Sequence, residues 1–324
     1  MIRTRLTERL DIRHPILLAP MDRVAGGRLA AAVTAAGGLG LIGGGYGDAE
    51  WLDREFLAAG NTRVGCGFIT WSLAQQPDLL DRALAHAPAA LMLSFGDPAP
   101  FVPAIHAAGS LLICQVQTIA HTRAALAAGA AIIVAQGTEA GGHGCVRATL
   151  TLVPEIADLL ARESPDTVLV AAGGIADGRG LAAALMLGAD GVLVGSRLVA
   201  SSEALIHPNH QQAILAATGD DTLRQTVTDI ARGYDWPAAF TGRVLLTDYV
   251  RRWHGNEAEM RAQAEASRAA YFAAAAEGRT QDVSLPIGEA IGLVHTVESA
   301  QVIIDGMIDQ ASRLLGERAP AFLA

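Results

Sequence analysis

Residues 168–196 read VLVAAGGIADGRGLAAALMLGADGVLVGS, and this stretch contains one complete unit of the fold. It begins with a short apolar run at 168–174, continues with an Ala- and Leu-rich segment of helical spacing at 179–189, and ends with a second apolar run at 191–196. The two runs are too short for helices and rich in valine, which is typical of buried strands. The stretch therefore predicts a strand, a helix and a second strand parallel to the first.

The same unit recurs along the N-terminal part of the chain. Further strand-like runs lie at 15–20, 39–44, 64–69, 90–95, 111–116 and 131–136, with helical segments between them, as at 28–38, 78–87 and 122–130. Eight evenly spaced strands alternating with helices predict an α/β fold of the (β/α)8 or TIM barrel type. A doubly wound open sheet is the alternative, because alternation alone does not show that the sheet closes.

The pattern changes after Ser201. No strand-like run appears from 202 to 283, whereas 207–221 and 259–278 have helical patterns that are polar on one face. We interpret 202–283 as a helical insertion, or cap, that forms the substrate domain, and 1–201 with 284–324 as the barrel. The last segment predicts a helix that packs on the barrel wall through Val297, Val302, Ile303, Met307, Ile308 and Leu314.

Composition excludes several function classes. All 24 basic residues are arginines, so Schiff-base aldolases, pyridoxal-phosphate enzymes, P-loop hydrolases and protein kinases, which need a lysine, are excluded in their standard forms. A net charge of −9 disfavours nucleic acid and anionic membranes as partners. The charged N-terminus shows no export signal, and the three cysteines are too scattered for a disulfide framework or a zinc site. We expect a cytoplasmic protein without a membrane segment.

The loop GTEAGGHG at 137–144 follows the sixth strand directly, and in a barrel it would reach the mouth where active sites lie. Gly141 and Gly142 allow close approach of the backbone to a ligand, and His143 can move a proton near neutral pH. His143 is therefore a candidate general base. The alternative is that this histidine only bonds to its own loop.

A phosphate site is predicted where the seventh and eighth strands end. Gly173 and Gly174 follow the seventh strand and precede a helix whose N-cap is Asp177, while Gly195 and Ser196 end the eighth. Phosphate binding by these two loops recurs in TIM barrels. The alternative is that the glycines only make tight turns.

Three other sequence patterns give weaker evidence of a functional site. The G-x-G-x-x-G match at 38–43 follows a helix and lies inside a strand, so it is not a dinucleotide fingerprint. His207, His210 and His254 lack further ligands nearby, which favours capping or solvated roles over a metal site. Cys145 is expected to be a small buried residue.

Four stretches of the chain resemble the nitronate monooxygenases, formerly called 2-nitropropane dioxygenases. They are HPILLAPM at 14–21, the GTEAGGHG loop, residues 171–197 and SSEALIHP at 201–208. These are FMN-dependent barrels related to the flavin-dependent enoyl-ACP reductases. The resemblance implies that His143 is the catalytic histidine. It implies that the flavin contacts Ala19, Pro20, Met21, Gly67, Gln115, Gln136, Gly141 and Gly142, and that its phosphate is held by Gly173, Gly174, Gly195 and Ser196.

The implied reaction is the oxidation of alkyl nitronates by O2 to carbonyl compounds and nitrite, with His143 deprotonating neutral nitroalkanes. The chain departs from relatives that have a lysine at Gln115, an Asp or Ser at Gln136 and an Asn at Gly67. Gln115 offers a neutral hydrogen bond where a cation would stabilise an anionic flavin.

Two alternative functions are an NAD(P)H-using quinone or enoyl-thioester reductase and a non-enzymatic flavin-binding protein. A homodimer is a candidate assembly. The cap is expected to shape the substrate pocket with aromatic residues such as Trp236, Phe240 and Tyr249.

Overall fold

The computed structural model describes residues 2–321. The strands are β1 (Ile16–Leu18), β2 (Leu41–Gly43), β3 (Gly65–Ile69), β4 (Ala90–Ser94), β5 (Leu111–Val116), β6 (Ile132–Gln136), β7 (Gly142–Gly144), β8 (Val168–Ala172), β9 (Gly191–Val194), β10 (Thr222–Gln225) and β11 (Thr241–Leu245). Every strand-like run found in the sequence forms a strand, at β1–β6, β8 and β9.

The α-helices alternate with these strands up to β9 and predominate after it. They are α1 (Arg5–Leu10), α2 (Gly27–Ala35), α3 (Ala49–Ala59), α4 (Thr70–Leu73), α5 (Asp78–Leu84), α6 (Val102–Ala107), α7 (Ile119–Ala127), α8 (Thr149–Glu163), α9 (Gly178–Met186), α10 (Ser196–Val199), α11 (Pro208–Ala216), α12 (Val227–Arg232), α13 (Asp248–Trp253), α14 (Glu257–Ala276), α15 (Ala300–Arg313) and α16 (Ala319–Ala321). No helix within residues 2–321 is long and apolar enough to cross a bilayer.

The parallel strands form one sheet in the order β1-β9-β8-β6-β5-β4-β3-β2. The sheet closes between β1 and the residues before β2, because the Leu18 N–H donates to the Leu39 carbonyl at 3.0 Å and the Leu39 N–H to the Ile16 carbonyl at 3.1 Å. The TIM barrel prediction is confirmed, and the open-sheet alternative is wrong.

The strands are buried on both faces, which explains their continuous hydrophobicity. In β6, Ile132 and Val134 belong to the cluster inside the barrel, whereas Ile133 and Ala135 pack in the cluster beneath the helices. Leu6 and Leu10 of α1 join the inner cluster and cover the N-terminal end of the barrel. The opposite end is therefore the one left for a site.

Helix α15 returns to the barrel wall as predicted and packs between α9 and α2. Its buried face follows the i, i+3, i+4 pattern and includes the predicted residues Ile303, Met307 and Ile308. Val302 is 52% exposed because it lies off this face, so that part of the prediction is wrong. Val297 precedes the helix and Leu314 follows it, and both are half-buried.

Residues 202–283 contain the predicted helical segments as α11 and α14, but they are not wholly helical. Strands β10 and β11 pair antiparallel, and β11 also pairs with β7 of the barrel loop. The prediction of no strand in this segment is therefore wrong. TLRQ and TGRVL are short and partly polar, so neither has an apolar run that would reveal it; their backbone pairing stabilises them.

Candidate active site

A cavity of about 510 Å³ opens at the C-terminal ends of the barrel strands, beneath the cap. All the site residues predicted from the sequence line it: Ala19, Pro20, Met21, Gly67, Gln115, Gln136, Gly141, Gly142, His143, Gly173, Gly174, Gly195 and Ser196. They come from loops far apart in the chain, and barrel closure brings their strand ends together.

His143 lies on β7, and its backbone pairs with Gly242 of β11. Its Nε2 is 2.8 Å from Oδ1 of Asp229 on α12, and the two side chains are only 11% and 8% exposed. An ionised carboxylate only accepts, so Nε2 carries the proton and the lone pair lies on Nδ1. Nδ1 has no hydrogen-bond partner within residues 2–321 and is therefore the atom that can accept a proton.

Asp229 was not found by sequence reasoning. It lies 86 positions after His143, inside the unremarkable stretch VTDIAR of the cap. Neither its spacing nor its neighbours forms a motif, so only the docking of α12 against β7 reveals the pair.

Trp236 stacks on a face of the His143 ring. The two rings are stacked with centroids 3.4 Å apart and planes at 3°, and Phe95 meets Trp236 edge-on at 5.1 Å. The Trp236 Nε1–H donates to the Tyr46 hydroxyl at 3.0 Å. Phe95 has a left-handed φ of 64°, which is rare for an aromatic residue and marks backbone strain beside the site.

Of these aromatic residues, the sequence predicted only Trp236, as a pocket residue of the cap; Phe95 and Tyr46 were not predicted. Trp236, Phe95 and Tyr46 line the cavity and give it an apolar wall that restricts water. Tyr46 is stacked in turn on Tyr234, at 3.7 Å between centroids. Burial raises the pKa of the Tyr46 hydroxyl far above its usual range, so it stays protonated at any working pH.

Glutamines on adjacent strands fix the backbone of His143. The Gln136 Nε2 donates to the His143 carbonyl at 2.9 Å, which requires its Oε1 to face the opposite way. That Oε1 accepts from Nε2 of Gln115 at 3.1 Å and from Nε2 of Gln117 at 2.9 Å. The His143 carbonyl can only accept, so it fixes the orientation of the Gln136 amide. The Gln136 amide in turn fixes the orientations of the Gln115 and Gln117 amides.

We expect Gln136→Glu to lower the thermal stability of the protein, by roughly 1–3 kcal/mol, because a carboxylate cannot donate to the His143 carbonyl. Gln136→Leu should cost at least as much, since it removes the partner of one buried amide, that of Gln117, and of two partly buried groups, the Gln115 amide and the His143 carbonyl. Thermal unfolding of both variants measures the effect, with Gln75→Glu on the exposed surface as the control. Equal melting temperatures for Gln136→Glu and the control would contradict the assignment of the amide chain.

Glycine amides and one hydroxyl line the cavity where the phosphate site is predicted. Within residues 2–321, the backbone N–H groups of Gly174, Gly195 and Ser196 have no acceptor. The Ser196 Oγ accepts from the Gly288 N–H at 2.9 Å, so its own hydrogen is free to be donated. Asp177 caps α9 as predicted and accepts from its first amides, which leaves the glycine amides as the free donors.

The space beside these donors fits a bound group. A Cβ added to Gly195 would have the Ala19 Cβ at 3.5 Å and the Met21 Sδ at 3.7 Å as its nearest neighbours. Gly173 and Gly174 have φ of 105° and 71°, a backbone that side chains rarely adopt and that turns the loop at the cavity wall. Unpaired amides around such a space suit an anionic phosphate without any lysine.

The three histidines that the sequence brought into question as metal ligands have other roles, and His254 is an exposed side chain beside Glu257, with its Nδ1 3.4 Å from Oε1. His207 caps α11 by accepting from the Asn209 N–H at 3.1 Å, and His210 bonds to Thr280 Oγ1 at 2.9 Å and to the Ala275 carbonyl at 3.1 Å. Burial lowers the pKa of His210, which keeps it neutral. In the described part of the chain, no group of three or more His, Cys, Asp or Glu side chains is placed so that it could hold a metal ion.

Three further expectations have mixed outcomes. Cys145 is partly exposed rather than buried. Of the cap aromatics expected to shape the pocket, Trp236 lines the cavity, whereas Phe240 packs behind it against Phe95 and Tyr249 packs on Tyr271. The glycines at 38–43 run from the end of α2 into β2, so they form no dinucleotide loop.

The sequence model of the nitronate monooxygenase family matches residues 3–61 and 61–310. The chain belongs to this family. It is 34% identical to the nitronate monooxygenase npaC of Metarhizium robertsii over 93% of this chain and 91% of the relative. As a nitronate monooxygenase family member, it is a flavin-dependent oxidoreductase that acts on small molecules.

Two solved structures share the architecture over nearly the whole chain. FabK from Thermotoga maritima has a TM-score of 0.87 at 29% identity and covers 99% of this chain and 100% of its own. Nitroalkane oxidase from Streptomyces ansochromogenes has a TM-score of 0.78 at 25% identity, with the same coverage of both chains. The non-enzymatic alternative is therefore set aside.

Proposed function

We propose that this protein uses FMN to oxidise alkyl nitronates, and neutral nitroalkanes, with O2 to carbonyl compounds and nitrite. The observation that carries the proposal is the His143–Asp229 pair, which leaves Nδ1 without a partner in a histidine that lines the same cavity as the unpaired amides of Gly174 and Gly195. The family and the similarity to a nitroalkane oxidase support the same substrate class.

The residues of this chain would divide the work between binding and proton transfer. The amides of Gly174 and Gly195 and the hydroxyl of Ser196 would hold the FMN phosphate. When bound, FMN supplies the electron transfer from the nitronate to O2, which no side chain can perform. We further propose that the cap, residues 202–283, is the substrate domain, because its Trp236 lines the cavity and its Asp229 bonds to His143, which also lines it.

His143 would act only on neutral substrates. Its Nδ1 would take the α-proton of a nitroalkane, and the Asp229 carboxylate would stabilise the imidazolium that forms. A nitronate has already lost this proton, so it needs no base. The two substrate forms therefore separate proton removal from the later oxidation.

Purified protein tests the proposal directly. It should be yellow and release FMN on denaturation, and anaerobic mixing with a nitronate should bleach the flavin, while admission of O2 should yield nitrite. Bleaching by NADH or NADPH without any response to nitronate would instead establish the reductase alternative. The cytoplasmic location and the homodimer stay predictions from the sequence.

We expect Asp229→Asn to lower kcat for a neutral nitroalkane by roughly 10- to 100-fold, because an amide NH2 can donate to Nε2 and so favour the tautomer with its proton on Nδ1. Oxidation of the matching nitronate should change much less. Steady-state nitrite release with both substrate forms measures the difference, with Asp166→Asn on the surface as the control. Unchanged kcat for the neutral substrate would remove Asp229 from the mechanism.

A further inference from the structure

We propose that Arg224, on β10 of the cap, is a positioning residue that fixes the loop carrying His143. The proposal rests on the proposed function, because it concerns the same histidine. It assigns to the cap a task in catalysis beyond covering the cavity, namely the shaping of a barrel loop.

The guanidinium of Arg224 joins the two ends of the loop 138–144. Its Nε donates to Thr138 Oγ1 at 2.9 Å and its Nη2 donates to the Thr138 carbonyl at 3.1 Å. Its Nη1 donates to the Gly144 carbonyl at 3.2 Å and also to the carbonyl of Thr241 on the neighbouring β11. Thr138 lies near the start of the loop and Gly144 directly follows His143. One arginine side chain therefore links the two ends of the loop.

The loop contains two adjacent glycines whose backbone must be held by neighbouring residues. Gly141 and Gly142 lie in its middle, and Gly142 adopts a left-handed φ of 70°. Glycine restricts its own backbone less than other residues do, so the shape of the loop depends on contacts from outside it: the pairing of β7 with β11 and the arginine at the ends of the loop. The loop's fixed carbonyls at Thr138 and Gly144 face the same guanidinium, and without it the Gly144 carbonyl would lose this donor. A planar fork of donors bridges two such carbonyls in a way that a single ammonium cannot.

The charges around Arg224 also support a role in holding the loop. Arg224 lies directly opposite Arg243 in the antiparallel pair, an unfavourable position for two like charges. Arg243 has a carboxylate partner, Glu289, at 2.8 Å, whereas no carboxylate in residues 2–321 forms an ion pair with Arg224. The N–H groups of Arg224 donate to carbonyl and hydroxyl oxygens of the loop and of Thr241. Its contacts therefore hold the backbone of the loop in place and do not neutralise a carboxylate.

Arg243 supports one end of the same loop. Its Nε donates to the Thr138 carbonyl at 2.9 Å, so this oxygen accepts from both arginines. Burial, and the neighbouring charge of Arg243, lower the pKa of Arg224 to about 10, which leaves it protonated at neutral pH. The Gly144 end, next to the histidine, is held by Arg224 and not by Arg243.

The test compares one nitroalkane with its preformed nitronate in the FMN-loaded enzyme. In Arg224→Gln we expect kcat for the neutral nitroalkane to fall roughly 10- to 100-fold, with kcat for the nitronate within about threefold of wild type. Arg224→Lys should not restore the neutral activity, since an ammonium cannot reach both carbonyls. Arg123→Gln, which breaks a surface ion pair with Glu163, is the matched control and should leave both rates unchanged.

A purely structural role would lower both rates together through loss of active protein, and that result would overturn the proposal. A second measurement does not depend on turnover: ¹⁵N NMR of the histidine rings, with His143→Asn to assign the signal. Wild type should show His143 protonated at Nε2, and Arg224→Gln should show a mixture of tautomers. An unchanged His143 signal in Arg224→Gln refutes the positioning role, whereas a wild-type enzyme inactive on nitronates with a changed signal refutes only the proposed function.

Discussion

His143→Asn should reduce kcat/KM for a neutral nitroalkane such as nitroethane by about 10²–10⁴-fold, the range that a positioned general base contributes. Oxidation of the ethyl nitronate should fall by less than about tenfold, because that substrate has no α-proton to lose. The prediction follows from the bond that Asp229 makes to Nε2 and from the absence of any hydrogen-bond partner for Nδ1 within residues 2–321.

The measurement is nitrite release with both substrate forms, at equal FMN occupancy. Asparagine loses the ring that stacks on Trp236, but its side-chain amide can still donate a hydrogen bond, as Nε2 of the histidine does to Asp229. His106→Asn, an exposed histidine on α6, serves as the control and should match wild type. If the two substrates lose activity in equal proportion after His143→Asn, the histidine binds or packs and does not remove the proton.

Gly195→Leu should weaken FMN binding by at least about 100-fold, or about 2.8 kcal/mol. The Cβ would lie in ordinary contact with Ala19 and Met21. Because Gly195 lines the cavity, we expect the remaining leucine atoms to occupy cavity space beside the amides of Gly195 and Ser196. A close-packed site cannot yield that volume to both a leucine and a phosphate. The protein without flavin should still fold, since no backbone atom obstructs the new Cβ.

Fluorescence titration of flavin-free protein with FMN measures this loss, and circular dichroism with thermal unfolding confirms the fold. Gly306→Leu is the matched control: a Cβ there meets nothing within 4 Å, and the residue lies on α15 away from the cavity. FMN affinity equal in the two variants would place the phosphate elsewhere. A loss of folding in Gly195→Leu alone would instead make Gly195 a structural glycine, and Ser196→Ala would then test the same phosphate contact.

The barrel and much of the site could be predicted from local sequence. Strand runs such as 131–136 and 168–174 are apolar on both faces, and that double burial is typical of a parallel sheet covered by helices. Active-site position follows from the fold, since the loops after the strands meet at one end. His143 and the glycines at 173–174 and 195 could therefore be located by their place after a strand.

The partners of those residues could not be found in this way. Asp229 and Arg224 lie in segments without a motif, and their contacts with the loop span sequence separations of 86 and 80 residues. Strands β10 and β11 were missed for the same reason, because hydrogen bonds between distant backbones stabilise them and not an apolar run. The orientation of Gln136 likewise depends on a carbonyl that only the folded loop presents.

The sequence by itself determined the barrel, the end at which the site lies and the lysine-free chemistry of that site, because hydrophobic periodicity and glycine placement are local properties of the chain. Only the tertiary structure decided which ring nitrogen of His143 is bonded and which has no partner within residues 2–321. The proton on Nε2 is held by a carboxylate from the cap, and the loop is held by an arginine from the cap. Both contacts depend on docking two parts of the chain that share no local pattern.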